Sequence, residues 1–477
     1  MSENTNITTY QKWMIFTIIS TGTFMSLLSA TSINVALPIL EKEFNASISG
    51  IQWVVTAYLL VISSVLPIFG WAGDMTQRKH VIALGFALFG LGGFLCSQAD
   101  SLSHLIIYRI IQGIGASMNM ANSYAAITNA FPANQRGRAL GMQGSMVALG
   151  GISGPAVGGF LLDLFPWQYI FYITIPFAII GCILSLIYIP KTPSQKIKSF
   201  DVIGAVTLVA AIASLTISLS QFGRLGWTDT EIAIYFISSI ILFLFFFHWE
   251  NKQQNPLVDI KMFKNKTFLN GNLAGLSIFL ALNANSMLMP FYLHDVLKMM
   301  PKDIGMILIV FPIMVIVVAP LSGSLSDRYG APFFAITGTA LMTSALLLMT
   351  VSAPYKMLWP FIIALAIFGT GNGMFQSPNN STTLAVIPVE KHGMAGSIVA
   401  LMRNFGSVVG IALGVRLCDF VIDAQIQNPP LSPLTEQNAF IAGFQAACIL
   451  GATFAILGLI FSLNKKKTLS IKKEETT

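Results

Sequence analysis

Charge is scarce in this sequence. Only 10% of its 477 residues are Asp, Glu, Lys or Arg, and 54% are hydrophobic, whereas soluble domains carry about 25% charged residues. Mean hydropathy is +0.72. Apolar runs long enough to cross a bilayer recur from end to end, which argues against a soluble multidomain enzyme. Cysteine is scarcer still. Cys96, Cys182, Cys418 and Cys448 lie in four different apolar segments without CxxC spacing, so they read as small buried hydrophobes rather than a disulfide or metal set. The five histidines (His80, His104, His248, His294 and His392) fall at or near the ends of apolar runs. They offer no convergent catalytic set, so no enzyme, metal or cofactor is expected. No cleavable signal peptide is visible, because residues 1–11 are polar and the first apolar run is too long for a signal h-region. Acid is missing where it would matter most. Of twenty Asp and Glu residues none falls in the middle of an apolar run, and the nearest, Asp163, Glu231 and Asp419, stand at run ends.

What is present is a series of membrane helices. Fourteen spans are expected near 13–40, 50–73, 80–98, 103–131, 139–162, 168–189, 202–221, 231–248, 269–293, 304–323, 332–352, 359–377, 394–418 and 439–463. An even number puts both termini on one side. With the amino terminus in the cytoplasm, the inner loops carry nineteen Lys and Arg and the outer loops five, which satisfies the positive-inside rule. This asymmetry accounts for the formal charge of +7 without nucleic acid. The tail "NKKKTLSIKK" reads as a stop-transfer flank, with contact to anionic lipid as the alternative. A multi-pass cell-membrane protein with both termini cytoplasmic is the expectation.

The halves repeat. "GWAGDMTQRK" (70–79) leaves the second span and "GSLSDRYGAP" (323–332) leaves the tenth at the same face, each with Gly, three residues, Asp and then basic charge. Parallel six-helix halves characterise one large class of secondary transporters. The expected organisation is a six-helix bundle over 12–190, an inserted two-helix hairpin with linkers over 191–268, a second bundle over 269–464 and a basic tail over 465–477.

Three motifs carry chemistry. Asp74 and Asp327 stand at helix ends beside Arg78, Lys79 and Arg328, where they can pair with basic groups or the next helix; the bland alternative is a solvated loop charge. Arg109, in "RIIQGIGA" (109–116), lies inside an apolar span, where a charge is expensive and a functional candidate by default. It shares a face with Gln112, Ala116, Asn119 and Ser123, and the alternative is an arginine snorkelling to the outer surface. Finally, "LGGISGPAVGGF" (149–160) holds five glycines and a proline within an apolar helix. Glycines four apart give a flat face on which another backbone can approach, and a bundle can re-satisfy the carbonyl that proline frees. Plain packing is the alternative to a role in transport.

On these stretches the chain resembles the major facilitator superfamily, specifically its fourteen-span drug/proton antiporters, over essentially its whole length. Gly70, Asp74, Arg78 and Lys79 match the family's first cytoplasmic motif, with Gln77 where glycine is usual, and Gly323, Asp327 and Arg328 echo it. Arg109, Gln112 and Gly113 match the fourth-span motif. Gly150, Gly154, Pro155, Gly158 and Gly159 match the antiporter motif. The resemblance implies a major facilitator fold of two six-helix bundles plus two central helices. It implies a cytoplasmic latch between states, a glycine seal that limits leak during export, and proton-driven efflux of amphipathic small molecules by a monomer. It also exposes departures. Ser29, in "LLSATSINVALP", stands where relatives that export cations usually carry aspartate. Gln168 and Thr174 stand where the family favours Arg and Asn.

Polar stripes at helical spacing offer a substrate cavity. Ser26 and Ser29 follow Thr23 along the first span; Asn272, Phe279, Asn283 and Met287 share a face of the ninth, and Asn372, Gln376 and Asn379 one of the twelfth. With Tyr58, Asn119 and Asn122, these suit an adaptable amphipathic cavity, with interhelical hydrogen bonding as the alternative for each stripe alone. Proton carriers are sought at Asp163, Asp419 and Asp74. The competing reading is export or flipping of lipid-like or anionic molecules through Arg109, with Arg416 as a second candidate, without a first-span carboxylate.

Overall fold

The computed structural model describes residues 8–190, 201–221, 229–253, 256, 258–387, 392–427 and 436–474. Among them all regular structure is helical. The long helices are α1 (Thr9–Glu43), α2 (Trp53–Met75), α3 (Arg78–Ser97), α4 (Leu102–Ala130), α5 (Ala133–Leu164), α6 (Thr174–Tyr188) and α7 (Val202–Gln221). They continue with α8 (Asp229–Glu250), α9 (Lys266–Ser286), α10 (Val310–Tyr329), α11 (Ala331–Ser352), α12 (Leu358–Leu384), α13 (His392–Gln427) and α14 (Glu436–Glu474).

Local chemistry sets many of the ends. Ser101 caps α4 by accepting a bond from the His104 amide at 3.3 Å. Asn265 caps α9, its Oδ1 accepting from the Thr267 and Phe268 amides at 3.0 and 3.3 Å. Such caps satisfy amides that have no partner within the helix. Gly330, at φ 91°, separates α10 from α11 in a conformation that favours glycine.

Twelve helical segments among the described residues are both long and apolar enough to cross a membrane. The expected count is fourteen, and the difference falls on α4 and α5. α4 has 29 residues but carries Arg109, Gln112, Asn119 and Asn122. α5 has 32 residues, of which Leu149–Leu164 is the apolar stretch among the described residues. Both exceed the roughly 20 residues that a span requires.

The chain forms two compact units, Met1–Ala36 with Trp53–Ala205, and Leu37–Gln52 with Val206–Thr477. In the first, α4 packs on α2 and α3, and α3 on α6. Its core joins Phe16, Ile19, Ile82, Phe86, Ile127 and Phe131. In the second, α9 packs on α13 and α14, α11 on α12 and α14, and α10 on α12. The outward faces are apolar as well. Ile234, Ile237, Ile241 and Leu244 of α8 are all exposed, as a lipid-facing surface requires. Residues 206–250 of the expected insertion fall in the second unit, as does the end of α1 from Leu37 onward.

Candidate functional site

The first unit is built around a buried cation. Arg109 lies about two turns into α4 and is 0% exposed. Its Nε donates to the Val54 carbonyl at 3.0 Å. Its Nη1 donates to Ser29 Oγ at 3.0 Å and to Gln112 Oε1 at 2.7 Å. The guanidinium carbon lies 3.9 Å from the Tyr58 ring centre and 5.8 Å from that of Phe171. Tyr58 is held in turn by its hydroxyl, which donates to the Ser26 carbonyl at 2.9 Å. Snorkelling is therefore not the explanation of Arg109, because the side chain turns inward among α1, α2 and α4. A buried charge normally requires a counter-charge or a full set of hydrogen bonds. Among the described residues every hydrogen-bond partner of Arg109 is uncharged, and its Nη2 has none; Nε2 of Gln112 also has none. Two fully buried donors, one turn apart on α4, thus have no acceptor among the described residues.

The glycine motif lies against α1 in the same unit. A Cβ built on Gly150 would sit 2.7 Å from the Phe24 carbonyl oxygen, and one on Gly158 would sit 2.6 Å from that of Ser32. At Gly154 it would overlap Thr31 Oγ1 and lie 2.8 Å from the Ser32 amide. These distances are shorter than any ordinary side-chain contact, so α5 can meet the α1 backbone only without side chains there. Gly151, on another side of the helix, meets nothing within 4 Å. Pro155 and Gly159 are buried. The glycine face thus presses on the stretch of α1 that carries Ser29.

Other sequence candidates divide. Asn119 and Asn372 are buried, and the Oδ1 of each lacks a hydrogen-bond partner among the described residues. Gln376 is half-buried. Asn122, expected to line the cavity, instead ties α4 to α2. Its Nδ2 donates to the Phe69 and Met118 carbonyls at 3.0 and 2.9 Å. Asn283 likewise joins α9 to α13, donating to Ser407 Oγ at 3.1 Å. Met287 is 1% exposed and serves as packing. Gly113 lies against the Tyr58 carbonyl, 3.1 Å from its Cβ position. In the first latch loop, Arg78 is buried, Lys79 is half-buried and Gly70 faces open space; the side chain of Asp74 lies outside the described residues. In the second, Gly323 lies against Ser377, and the side chains of Asp327 and Arg328 lie outside the described residues. Asp163 is exposed at the end of α5, and Asp419 is half-buried on α13.

One charged residue departs from its expected role. Lys465 was counted with the solvated tail, yet it is 4% exposed because α14 continues through it. Its Nζ donates to the Asn379 carbonyl and Oδ1, both at 3.0 Å, and to Thr383 Oγ1 at 2.8 Å. Asn379 in turn donates to the Gly271 carbonyl at 3.0 Å. Lys465 thereby pins α14 to α12, which Asn379 ties to α9. The only sequence signal was Asn379 and Thr383 at i, i+4 on one face of α12.

Two packed helical units, lipid-compatible surfaces and buried polar groups within the spans define a polytopic membrane transporter. The Major Facilitator Superfamily pattern matches residues 19–411 and again 271–476, and the chain belongs to that family. It is a secondary transporter, not an enzyme. It is 35% identical over 454 residues to the riboflavin transporter RibZ of Clostridioides difficile, covering 95% of this chain and 97% of that one. It is 28% identical over 402 residues to the multidrug resistance protein Stp of Mycobacterium tuberculosis, covering 84% and 75%. Among solved structures, a bacterial Spinster homologue in an inward-facing, occupied conformation superposes with a TM-score of 0.70 at 14% identity, covering 97% and 98%. The xylose transporter XylE of E. coli gives 0.60 at 14% identity, covering 93% and 95%. At such identities these two structures share the fold alone.

Proposed function

We propose that this chain is a proton-driven exporter of amphipathic small molecules that are neutral or anionic and rich in hydrogen-bond acceptors. The observation that carries the reading is Arg109, a buried cation bonded only to neutral groups, with Nη2 and the nearby Gln112 Nε2 free to receive an acceptor. A fixed positive charge in a low-dielectric site repels a lipophilic cation and attracts carbonyl, imide or carboxylate oxygens. The stacked Tyr58 ring supplies an aromatic wall beside it. Export, fourteen spans, inward termini and the latch at Asp74 and Asp327 rest on the resemblance to drug/proton antiporters and on the charge asymmetry.

A second reading, favoured by the full-length match to RibZ, is transport of a flavin. Riboflavin is planar, aromatic and uncharged at neutral pH, and its ring carbonyls are acceptors of the kind that Arg109 and Gln112 could bind. The test is transport by purified protein in liposomes, with an imposed pH gradient of either direction. Substrates are riboflavin, a neutral drug, an anionic dye and a monocationic dye. The proposal expects gradient-dependent movement of the neutral and anionic compounds, and little of the monocation. Riboflavin movement alone selects the flavin reading. Preferential movement of the monocation overturns both.

A further inference from the structure

The second unit holds a buried cation of its own. Arg416 lies in α13, within the span Leu401–Gln425, and is 7% exposed. Its Nε has no hydrogen-bond partner among the described residues. No carboxylate among them pairs with its guanidinium, not even Asp419, about one turn further along the same helix. Snorkelling does not account for it, because about 14 Å of helix separates Arg416 from Gln425 at the end of the span, more than an arginine side chain can reach. A charge buried in a span without a partner is costly, and packing alone would favour an apolar side chain of that volume.

The helix around it shows which way it points. A Cβ on Gly410 would sit 2.8 Å from the Leu280 carbonyl oxygen, and one on Gly414 would overlap the Ala284 carbonyl, so this stripe of α13 is pressed on α9. A Cβ on Gly443 of α14 would lie 2.6 Å from Cys418 Sγ, so Cys418 faces α14. Two residues along an α-helix rotate the side chain by about 200°. Arg416 stands two residues from both Gly414 and Cys418, and therefore points away from α9 and α14. A third element packs on α13, the short helix Ile48–Ile51 of the same unit. Gln52 ends that helix. It is 1% exposed, and neither its Oε1 nor its Nε2 has a hydrogen-bond partner among the described residues. Two elements in contact thus each bring a buried polar side chain without a partner.

We propose that Arg416, supported by Gln52, is a second anion-recognition point of this transporter, taking the carboxylate, sulfonate or phosphate group of an anionic substrate. A guanidinium presents parallel N–H donors to such a group, and the Gln52 amide adds a neutral donor from a neighbouring element. The division of labour with Arg109 follows from the bonds of each. Arg109 is committed to the Val54 carbonyl, Ser29 and Gln112, whereas no described residue engages the fork of Arg416. Arg416 therefore discriminates an anion from a neutral compound of the same shape. This deepens the reading above and rests on it for one point, that anions are among the substrates.

The test uses full-length protein in phosphatidylcholine liposomes without a pH gradient. Equilibrium binding is measured for a fluorescent carboxylate dye and for its neutral methyl ester, which share one aromatic body and differ in charge. Wild type should bind the acid more tightly than the ester. Arg416→Gln should weaken the acid by about tenfold or more, the size of one hydrogen bond from a charged donor, and leave the ester unchanged. Arg416→Lys keeps the charge without the fork and should recover part of the acid binding. Gln52→Ala should weaken the acid by a smaller factor. The thermal midpoint of Arg416→Gln should equal or exceed that of wild type, because a buried charge without a partner is lost. Equal loss of acid and ester would make Arg416 a packing residue, and unchanged acid binding would remove it from recognition; either overturns the proposal. Displacement of the acid by a short-chain phosphatidylglycerol, but not by the phosphatidylcholine of equal length, would assign the site to lipid headgroups and overturn its assignment to substrate. Acid that is bound at Arg416 but not moved by a pH gradient contradicts the export reading alone.

Discussion

Arg109 and Ser29 are joined inside the first unit, Nη1 to Oγ at 3.0 Å, and this contact sets the charge of the site. A serine hydroxyl satisfies the guanidinium without neutralising it. An aspartate at the same place would form an ion pair. Serine here lacks the carboxylate of a proton carrier, and it also leaves a positive centre beside two donors that have no partner among the described residues.

The first prediction concerns that centre. Arg109→Gln removes the charge and the bond to the Val54 carbonyl, and transport of neutral and anionic compounds should fall by roughly ten- to a hundredfold, the equivalent of one hydrogen bond from a charged donor. Arg109→Lys should not restore it. A lysine cannot present the planar fork that reaches Val54, Ser29 and Gln112 together. Initial rates in liposomes, normalised to inserted protein, decide the matter; wild-type rates in Arg109→Lys would remove the fork from the account.

The glycine face gives a matched set. Gly154→Val and Gly158→Ala force α5 away from α1, because the new atoms would overlap Thr31 and crowd the Ser32 backbone. Both should lose most transport while still reaching the membrane. Gly151→Ala, with nothing within 4 Å of the added carbon, should keep it. Equal activity across the three would reduce the motif to composition.

Lys465 should matter for stability. Lys465→Met deletes three hydrogen bonds and leaves the buried Thr383 and Asn379 groups to find other partners. The expected cost is about 1–3 kcal/mol, as for a buried polar group left unsatisfied. A lower midpoint in a thermal unfolding scan of the detergent-solubilised protein checks this, and an unchanged midpoint would return Lys465 to the solvated tail.

Orientation is open to direct labelling. A membrane-impermeant maleimide should modify Asp100→Cys in intact cells, because the loop after α3 belongs to the charge-poor face. It should not modify Thr477→Cys until the cells are opened. Labelling of the tail in intact cells would invert the assignment.

The residues differ in how much of their role was legible. Helix positions follow from apolar runs whose length lipid dictates, and α9, α11 and α12 lie where the runs do. Close approach at Gly150, Gly154 and Gly158 was legible because no other residue permits it at that spacing. Arg109 was legible as a special residue but not as a buried one, since burial depends on whether α1 and α2 offer acceptors, and Ser29 and the Val54 carbonyl come from distant stretches. Lys465 was misread because a lysine after an apolar run usually marks its end, while here α14 continues and α12 supplies three acceptors. The ion pair of Lys42 and Asp295 left no local pattern, because the two come from the end of α1 and from residues 292–296, and only packing brings them together.

The most direct measurement of the central claim compares wild type with Ser29→Asp, side by side in liposomes with and without a pH gradient, using a monocationic dye, a neutral drug and an anionic dye. The geometry puts the new carboxylate within reach of Arg109, so the pair becomes neutral and the repulsion of cations ends. Wild type should move the neutral and anionic compounds and exclude the monocation. Ser29→Asp should gain monocation transport and lose preference for the anion. Strong gradient-driven transport of the monocation by wild type, unchanged in Ser29→Asp, would contradict the account.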